Sequence, residues 1–242
     1  DAITLFQEVS NYFPSRENYN NIGVVKTLQA LDLKVLTSEE YNYPKRFLYP
    51  LETDNDSRLK QNGSRSGDNQ QEQMTLLLKS AQKDFEKAIA LDPKMANDIL
   101  REMAKAQIKA KKYGQSIATY ERIMAGDPKN LNAQDWYEFG RAYYYDGGAK
   151  QREKKDVEAL GQFVKADTCF SKLAQMSPAY AIAYFWRGKA NVQQDVKDEK
   201  GLAKPHYEKA ISLVKPEEKA GVKQNLIEAY LYLGSHYAFS KE

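Results

Sequence analysis

The sequence predicts an all-α chain built as an array of antiparallel helix pairs, and three observations carry that prediction. One spacing recurs five times: a small residue, an aromatic four positions on, a small or apolar residue three later, and a proline five further. The copies are Ala2, Phe6, Val9, Pro14; Ala81, Phe85, Ala88, Pro93; Ser116, Tyr120, Ile123, Pro128; and Ala166, Phe170, Leu173, Pro178. A degraded copy is Ala203, Tyr207, Ala210, with Pro216 one residue late. The segments around these aromatics have helical periodicity, as in AQKDFEKAIALDPK, where Ala81, Phe85 and Ala88 share one face. Upstream of each copy from Phe85 onward lies a second helical segment with its own signature, clearest in WYEFGRAYY: Trp136, Phe139, Gly140, Tyr143. Fixed-period self-similarity of this kind marks arrays whose units stack on their neighbours, and such arrays bind other chains more often than they do chemistry.

In order along the chain, residues 1–14 read as the second helix of a partial repeat. Residues 15–94 are a repeat whose first helix is SRENYNNIGVVKTLQAL, with Tyr19 and Gly23 at the signature positions, and whose two helices are separated by an insertion at about 34–70. Residues 95–129 form a repeat with Leu100 and Ala104 in its first helix. Residues 130–179 form another, with Trp136 and Gly140 and an insertion at about 146–160. Residues 180–216 carry Tyr184 and Gly188, with a short extra stretch near Asp198, and residues 217–242 read as a first helix with Asn225 and Ala229 at the signature positions. The proline stops each second helix because the residue before it avoids the α region. Each glycine lets paired helices approach closely, and the aromatic of the second helix fills the space against the next unit. The 34–70 insertion is aromatic and proline-rich in its first half and polar and Gly/Ser-rich in its second, so it reads as a long loop. The 146–160 insertion, DGGAKQREKKDVEAL, is charged and reads as a solvated loop. The apolar face of 1–13 and the last helix both lack a partner within the sequence, so we expect an excerpt of a longer array or contacts with another copy through the end helices.

The pattern W-x2-(apolar)-G-x2-Y followed by A-x3-F-x2-(A/L)-x4-P resembles the tetratricopeptide repeat (TPR) family, a helix–turn–helix unit of about 34 residues. The resemblance covers most of 1–33 and 71–242. It implies a right-handed superhelical solenoid with the first helices lining a concave groove. With the glycine at the eighth position, the inward residues are Glu17, Asn20, Val24 and Thr27; Asp98, Arg101, Lys105 and Ile108; Gln134, Tyr137, Arg141 and Tyr144; Ile182, Phe185, Lys189 and Val192; and Lys223, Leu226, Tyr230 and Leu233. Arg101, Lys105, Arg141 and Lys189 then form a basic ladder with Tyr137, Tyr144 and Phe185 between them, and Tyr230 at the far end. Such a groove suits a partner segment carrying Asp/Glu or a free C-terminus with an apolar anchor, since arginine grips carboxylates bidentately and aromatics give contact area at low entropic cost. The same cations could instead be solvated or paired with neighbours such as Asp98 and Glu138. The carboxylate clamp of chaperone-binding TPR proteins is not reproduced, because Val24, Arg141 and Lys189 follow the three glycines.

Composition narrows the function. The net charge of +3, from 36 basic and 33 acidic residues, argues against a dedicated nucleic-acid binder. No apolar run approaches the roughly 18 residues of a membrane span. The single cysteine, Cys169, permits no intrachain disulfide and reads as a buried thiol. His206 and His236 are 30 residues apart and read as packing or solvent-facing rather than catalytic. There is no G-x-x-x-x-G-K-[ST], C-x-x-C or H-E-x-x-H, and Asp54, Asn55 and Asp56 lack the glycine and distal glutamate of a calcium loop. We therefore expect no enzyme, cofactor or metal, and a scaffold for protein partners. The alternatives are a docking region of a larger enzyme such as a protease, or a self-assembling array. The Tyr-rich repeats and the PKRFLYPLETD loop resemble the style of TPR proteins of Bacteroidetes cell envelopes, which implies a periplasmic location, with the cytoplasm as the alternative.

Overall fold

The computed structural model describes Tyr19, Asn20, Ile22, Gly23, Lys26 and residues 66–239, the side chains of 66–75, Pro128 and Phe239 aside. Tyr19, Asn20, Ile22, Gly23 and Lys26 are helical, and residues 66–239 form eight α-helices and no strand: α1 (Ser66–Leu91), α2 (Ala96–Lys109), α3 (Tyr113–Gly126), α4 (Ala133–Arg152), α5 (Asp156–Met176), α6 (Ala181–Gln194), α7 (Lys204–Leu213) and α8 (Lys223–Phe239). The chain divides into two compact units, 1–112 and 113–242. The expected helices at 1–14, most of the 34–70 insertion, and Asp54, Asn55 and Asp56 lie outside the described residues.

In the first unit, Ala81, Phe85 and Ala88 of α1 are buried, as their spacing requires. Phe85 lies over Gly23, where a Cβ would come within 2.9 Å of the ring. Beside it Lys26 is buried and reaches Asp84 at 2.6 Å and the Ser80 hydroxyl at 2.7 Å. Removing either partner would leave the other charge buried and uncompensated. Residues 66–70, read from sequence as the end of the long insertion, belong to α1.

In the second unit the helices pack in chain order, α3 on α4, α4 on α5, α5 on α6, α6 on α7 and α7 on α8. Short connections make neighbours antiparallel. The small, aromatic and apolar repeat residues of the second helices are buried: Ser116, Tyr120 and Ile123 in α3, Ala166, Phe170 and Leu173 in α5, and Ala203, Tyr207 and Ala210 at α7. The prolines do more than stop a helix. Pro93, Pro128 and Pro216 each open a three-residue 3-10 turn, a position that tolerates a missing N–H. The start of α4 is fixed by a capping box, with Asp135 N–H donating to Asn132 Oδ1 at 2.9 Å and Asn132 N–H to Asp135 Oδ2 at 3.0 Å.

The 146–160 insertion is not a solvated loop. It lengthens both helices of its pair, α4 running on to Arg152 and α5 starting at Asp156, so only Glu153, Lys154 and Lys155 turn. The reason is a second close approach. Gly147 lies under the Phe163 ring, where a Cβ would meet it at 2.9 Å, and Ala159 and Phe163 are buried. The charges sit on the outer faces, as in the Lys150–Glu158 pair at 3.1 Å. The extra stretch near Asp198 is a loop wound around Asp195, whose carboxylate accepts the N–H groups of Glu199 at 3.1 Å and Lys200 at 2.9 Å.

Candidate interaction face on the first helices

The third helix pair and the fourth expose a shared face made by α4 and α6. Its centre is Trp186, half-buried, with Phe170 stacked on it at 5.4 Å between centroids. Three tyrosines of α4 meet the indole edge-on: Tyr144 at 5.3 Å, Tyr145 at 6.0 Å and Tyr137 at 6.2 Å. Such edge-to-face pairs are favourable because the positive ring edge meets a negative face. Burial, then the Glu228 carboxylate, pushes the Tyr144 hydroxyl up to about 12, and burial raises Tyr137 against the opposing charge of Arg141. Both stay neutral hydrogen-bonding groups.

Two cations border the rings. Arg141 lies 5.4 Å from the Tyr137 centroid and 5.6 Å from that of Tyr145, and its Nη1 donates to Glu138 at 2.9 Å. Burial works against its charge, and Glu138 with the Tyr145 hydroxyl more than offsets this, leaving the guanidinium pKa raised. Its Nε is buried with no acceptor among the described residues. Lys189 stands 5.3 Å over Trp186 and pairs with Glu228 at 2.7 Å.

The basic ladder expected from sequence is therefore compensated rung by rung. Arg101 holds Asp98 at 2.7 Å and Lys105 holds Glu102 at 3.0 Å, both in the first unit, while Arg141 and Lys189 hold Glu138 and Glu228 in the second. Of the expected lining residues, Tyr137, Arg141, Tyr144 and Lys189 come together on one face. Phe185 does not line it. It is fully buried in a cluster with Ala181, Tyr207, Ala210, Ala229 and Leu233, because the next first helix, α8, covers the face that Phe185 projects from. Tyr230 is exposed and lies on α8. Trp186 was not among the expected residues. It sits one position beyond Phe185, on the side of α6 that turns back toward α4, and a groove register counted within one repeat assigns no role to that side.

The remaining candidates are structural. Cys169 is buried and its thiol is pushed up to about 12 by that burial. His236 Nδ1 lies 2.7 Å from Asp198, and burial followed by the Arg187 charge lowers the pKa of His206. Among the described residues no group of three or more His, Cys, Asp or Glu could hold a metal ion, and no helix is long and apolar enough to cross a membrane.

No family model matches the sequence, and no curated protein matches it. Among solved structures, the chain is similar to the C-terminal part of a TPR repeat-containing protein from Cytophaga hutchinsonii, with a TM-score of 0.54 and 22% identity over 99% of this chain and 83% of that one. At that identity the likeness concerns the fold, and the fold is the all-α, TPR-like stacking of helix pairs that the sequence predicts.

Proposed function

We propose that this chain is a non-catalytic protein-interaction scaffold whose α4–α6 face holds an extended segment of a partner protein. The observation that carries the reading is the half-buried ring cluster of Tyr137, Tyr144, Tyr145 and Trp186 on the first-helix side of the third and fourth helix pairs. Aromatic groups already held by their neighbours lose little entropy on binding and dominate interface energetics. The face is electrically balanced, since Arg141 and Lys189 are matched by Glu138 and Glu228. An acidic partner segment would have to displace one of those carboxylates. The chemistry fits better a segment with an aromatic or aliphatic anchor against Trp186 and Tyr137, and a backbone carbonyl for the Nε of Arg141.

Affinity capture with the full chain as bait tests this, followed by titration of the captured partner. Tyr137→Ala should weaken binding by roughly tenfold or more, because an anchoring contact is worth about 2 kcal/mol. Affinity should change little with added salt, since no net charge is being neutralised. Unchanged binding by Tyr137→Ala, with a steep salt dependence and loss in the Arg141→Ala/Lys189→Ala double variant, would instead establish the acidic mode.

A further inference from the structure

Helix α5 carries an apolar stripe on its outer side. Val157, Leu160, Gly161 and Val164 fall on one helical face, and Val157, Leu160 and Val164 are 87%, 46% and 46% exposed. The opposite side of α5 holds Ala159, Phe163, Ala166 and Phe170 in the core. Helices α4 and α6 pack on α5 from either flank, so the stripe is not a face left open by a missing neighbour in the stack. The other second helices lack it. The residue two before the small repeat residue is Val164 in α5, but Lys79 in α1, Gly114 in α3 and Gly201 before α7. Val157 and Leu160 are helical because the lengthened α5 starts at Asp156, well ahead of Ala166, whereas α3 starts at Tyr113, close to Ser116.

Gly161 sits in the middle of the stripe. Among the described residues nothing lies within 4 Å of a Cβ built on it, whereas Gly140, Gly147 and Gly188 each lie under a ring. A glycine inside an exposed helix weakens that helix and makes no packing contact of its own. What it offers is a place where the backbone of a second helix can come close. Two charges border the stripe. Glu158 and Lys165 are two turns apart on the same edge, the one toward α4, where Glu158 pairs with Lys150 at 3.1 Å and Lys165 stands 5.4 Å from the Tyr143 centroid.

We propose that this stripe is a homodimer contact, in which α5 packs antiparallel on α5 of a second copy across a two-fold axis near Gly161. A two-fold contact joins the same surface of each copy, so the patch must complement itself. The antiparallel pair meets that condition. Val157 faces the partner's Val164 and Val164 the partner's Val157, Leu160 meets the partner's Leu160, and the two glycines meet where the backbones are closest. The same axis brings like edges together. Glu158 therefore faces the partner's Lys165, and Lys165 the partner's Glu158, so opposite charges close the contact twice. A parallel pair would set Glu158 against the partner's Asp156, and Lys165 against the partner's Asp167, a residue whose carboxylate Arg187 already holds at 2.8 Å. The ring cluster around Trp186 takes no part, so the dimer carries two copies of that face.

Sedimentation velocity of the full chain over a wide concentration range tests this. The weight-average mass should climb to that of a dimer and stop there. Leu160→Lys should weaken dimerisation at least tenfold, because it sets like charges against each other on the axis. Helix content by circular dichroism should not change, since Leu160 is half-exposed. Glu158→Lys and Lys165→Glu should each weaken the dimer, and the double exchange should restore it. Losing the exposed Lys150–Glu158 pair costs the fold little. A chain that stays monomeric, a mass that climbs past the dimer, or a dimer undisturbed by Leu160→Lys overturns the proposal. Single exchanges without effect, or without recovery in the double variant, overturn the antiparallel pairing.

Discussion

At Gly140, a methyl group decides between two outcomes that sequence treats alike. Gly140 in Trp136, Phe139, Gly140, Tyr143 and Gly234 in Tyr230, Leu233, Gly234, Tyr237 share one spacing, yet Phe170 covers Gly140 and nothing among the described residues lies within 4 Å of a Cβ on Gly234. Gly140→Ala should destabilise the protein by about 1–3 kcal/mol, because the ring must move off its seat in a close-packed core. Gly234→Ala should stabilise it by up to about 1 kcal/mol through helix propensity alone. Urea midpoints of the two variants against the parent check this, and a common sign for both would remove the distinction between a covered glycine and an open one. Phe185 and Trp186 carry the same lesson about what single residues reveal. Adjacent in sequence, they face opposite neighbours, Phe185 toward α8 and Trp186 toward Phe170 and the α4 tyrosines. Their types and spacing are legible in sequence, but which neighbour covers which is set by the stacking of adjacent helix pairs.

Helix ends and lengths were less legible than helix faces. The faces follow from a period that every buried residue of the second helices obeys. The 146–160 segment shows why the ends do not. Its glycines and charges read as a loop, yet Gly147 serves as a floor for Phe163, and the charged residues ride on the outside of two lengthened helices. Glycine marks a turn and a close approach equally well, and only the partner ring distinguishes them. In α8, Ala229 is small and buried like a signature glycine, while Gly234 five residues on has the spacing of Gly140. One end was set by explicit chemistry. Asn132 and Asp135 satisfy each other's backbone N–H groups at the start of α4. Asn132→Ala should cost about 1 kcal/mol, seen as a lower thermal midpoint at constant helix content. No change in midpoint would mean that the packed faces of α4 hold its first turn without the cap.

For the molecule as a whole, stability in a stack of helix pairs is a sum of unit and nearest-neighbour terms, so protection should follow how many faces of a helix are covered. Helices α4 and α5 are covered along two successive close approaches, Gly140 with Phe170 and Gly147 with Phe163. Among its described side chains, helix α8 buries Ala229 and Leu233 and leaves Ile227, Tyr230 and Leu231 to solvent. Amide hydrogen exchange in dilute solution should therefore be at least tenfold faster in α8 than in α4 and α5, because α8 can detach by giving up one interface while the central helices must give up two. Uniform exchange across α4, α5 and α8 in dilute solution would show global cooperativity in place of a nearest-neighbour stack.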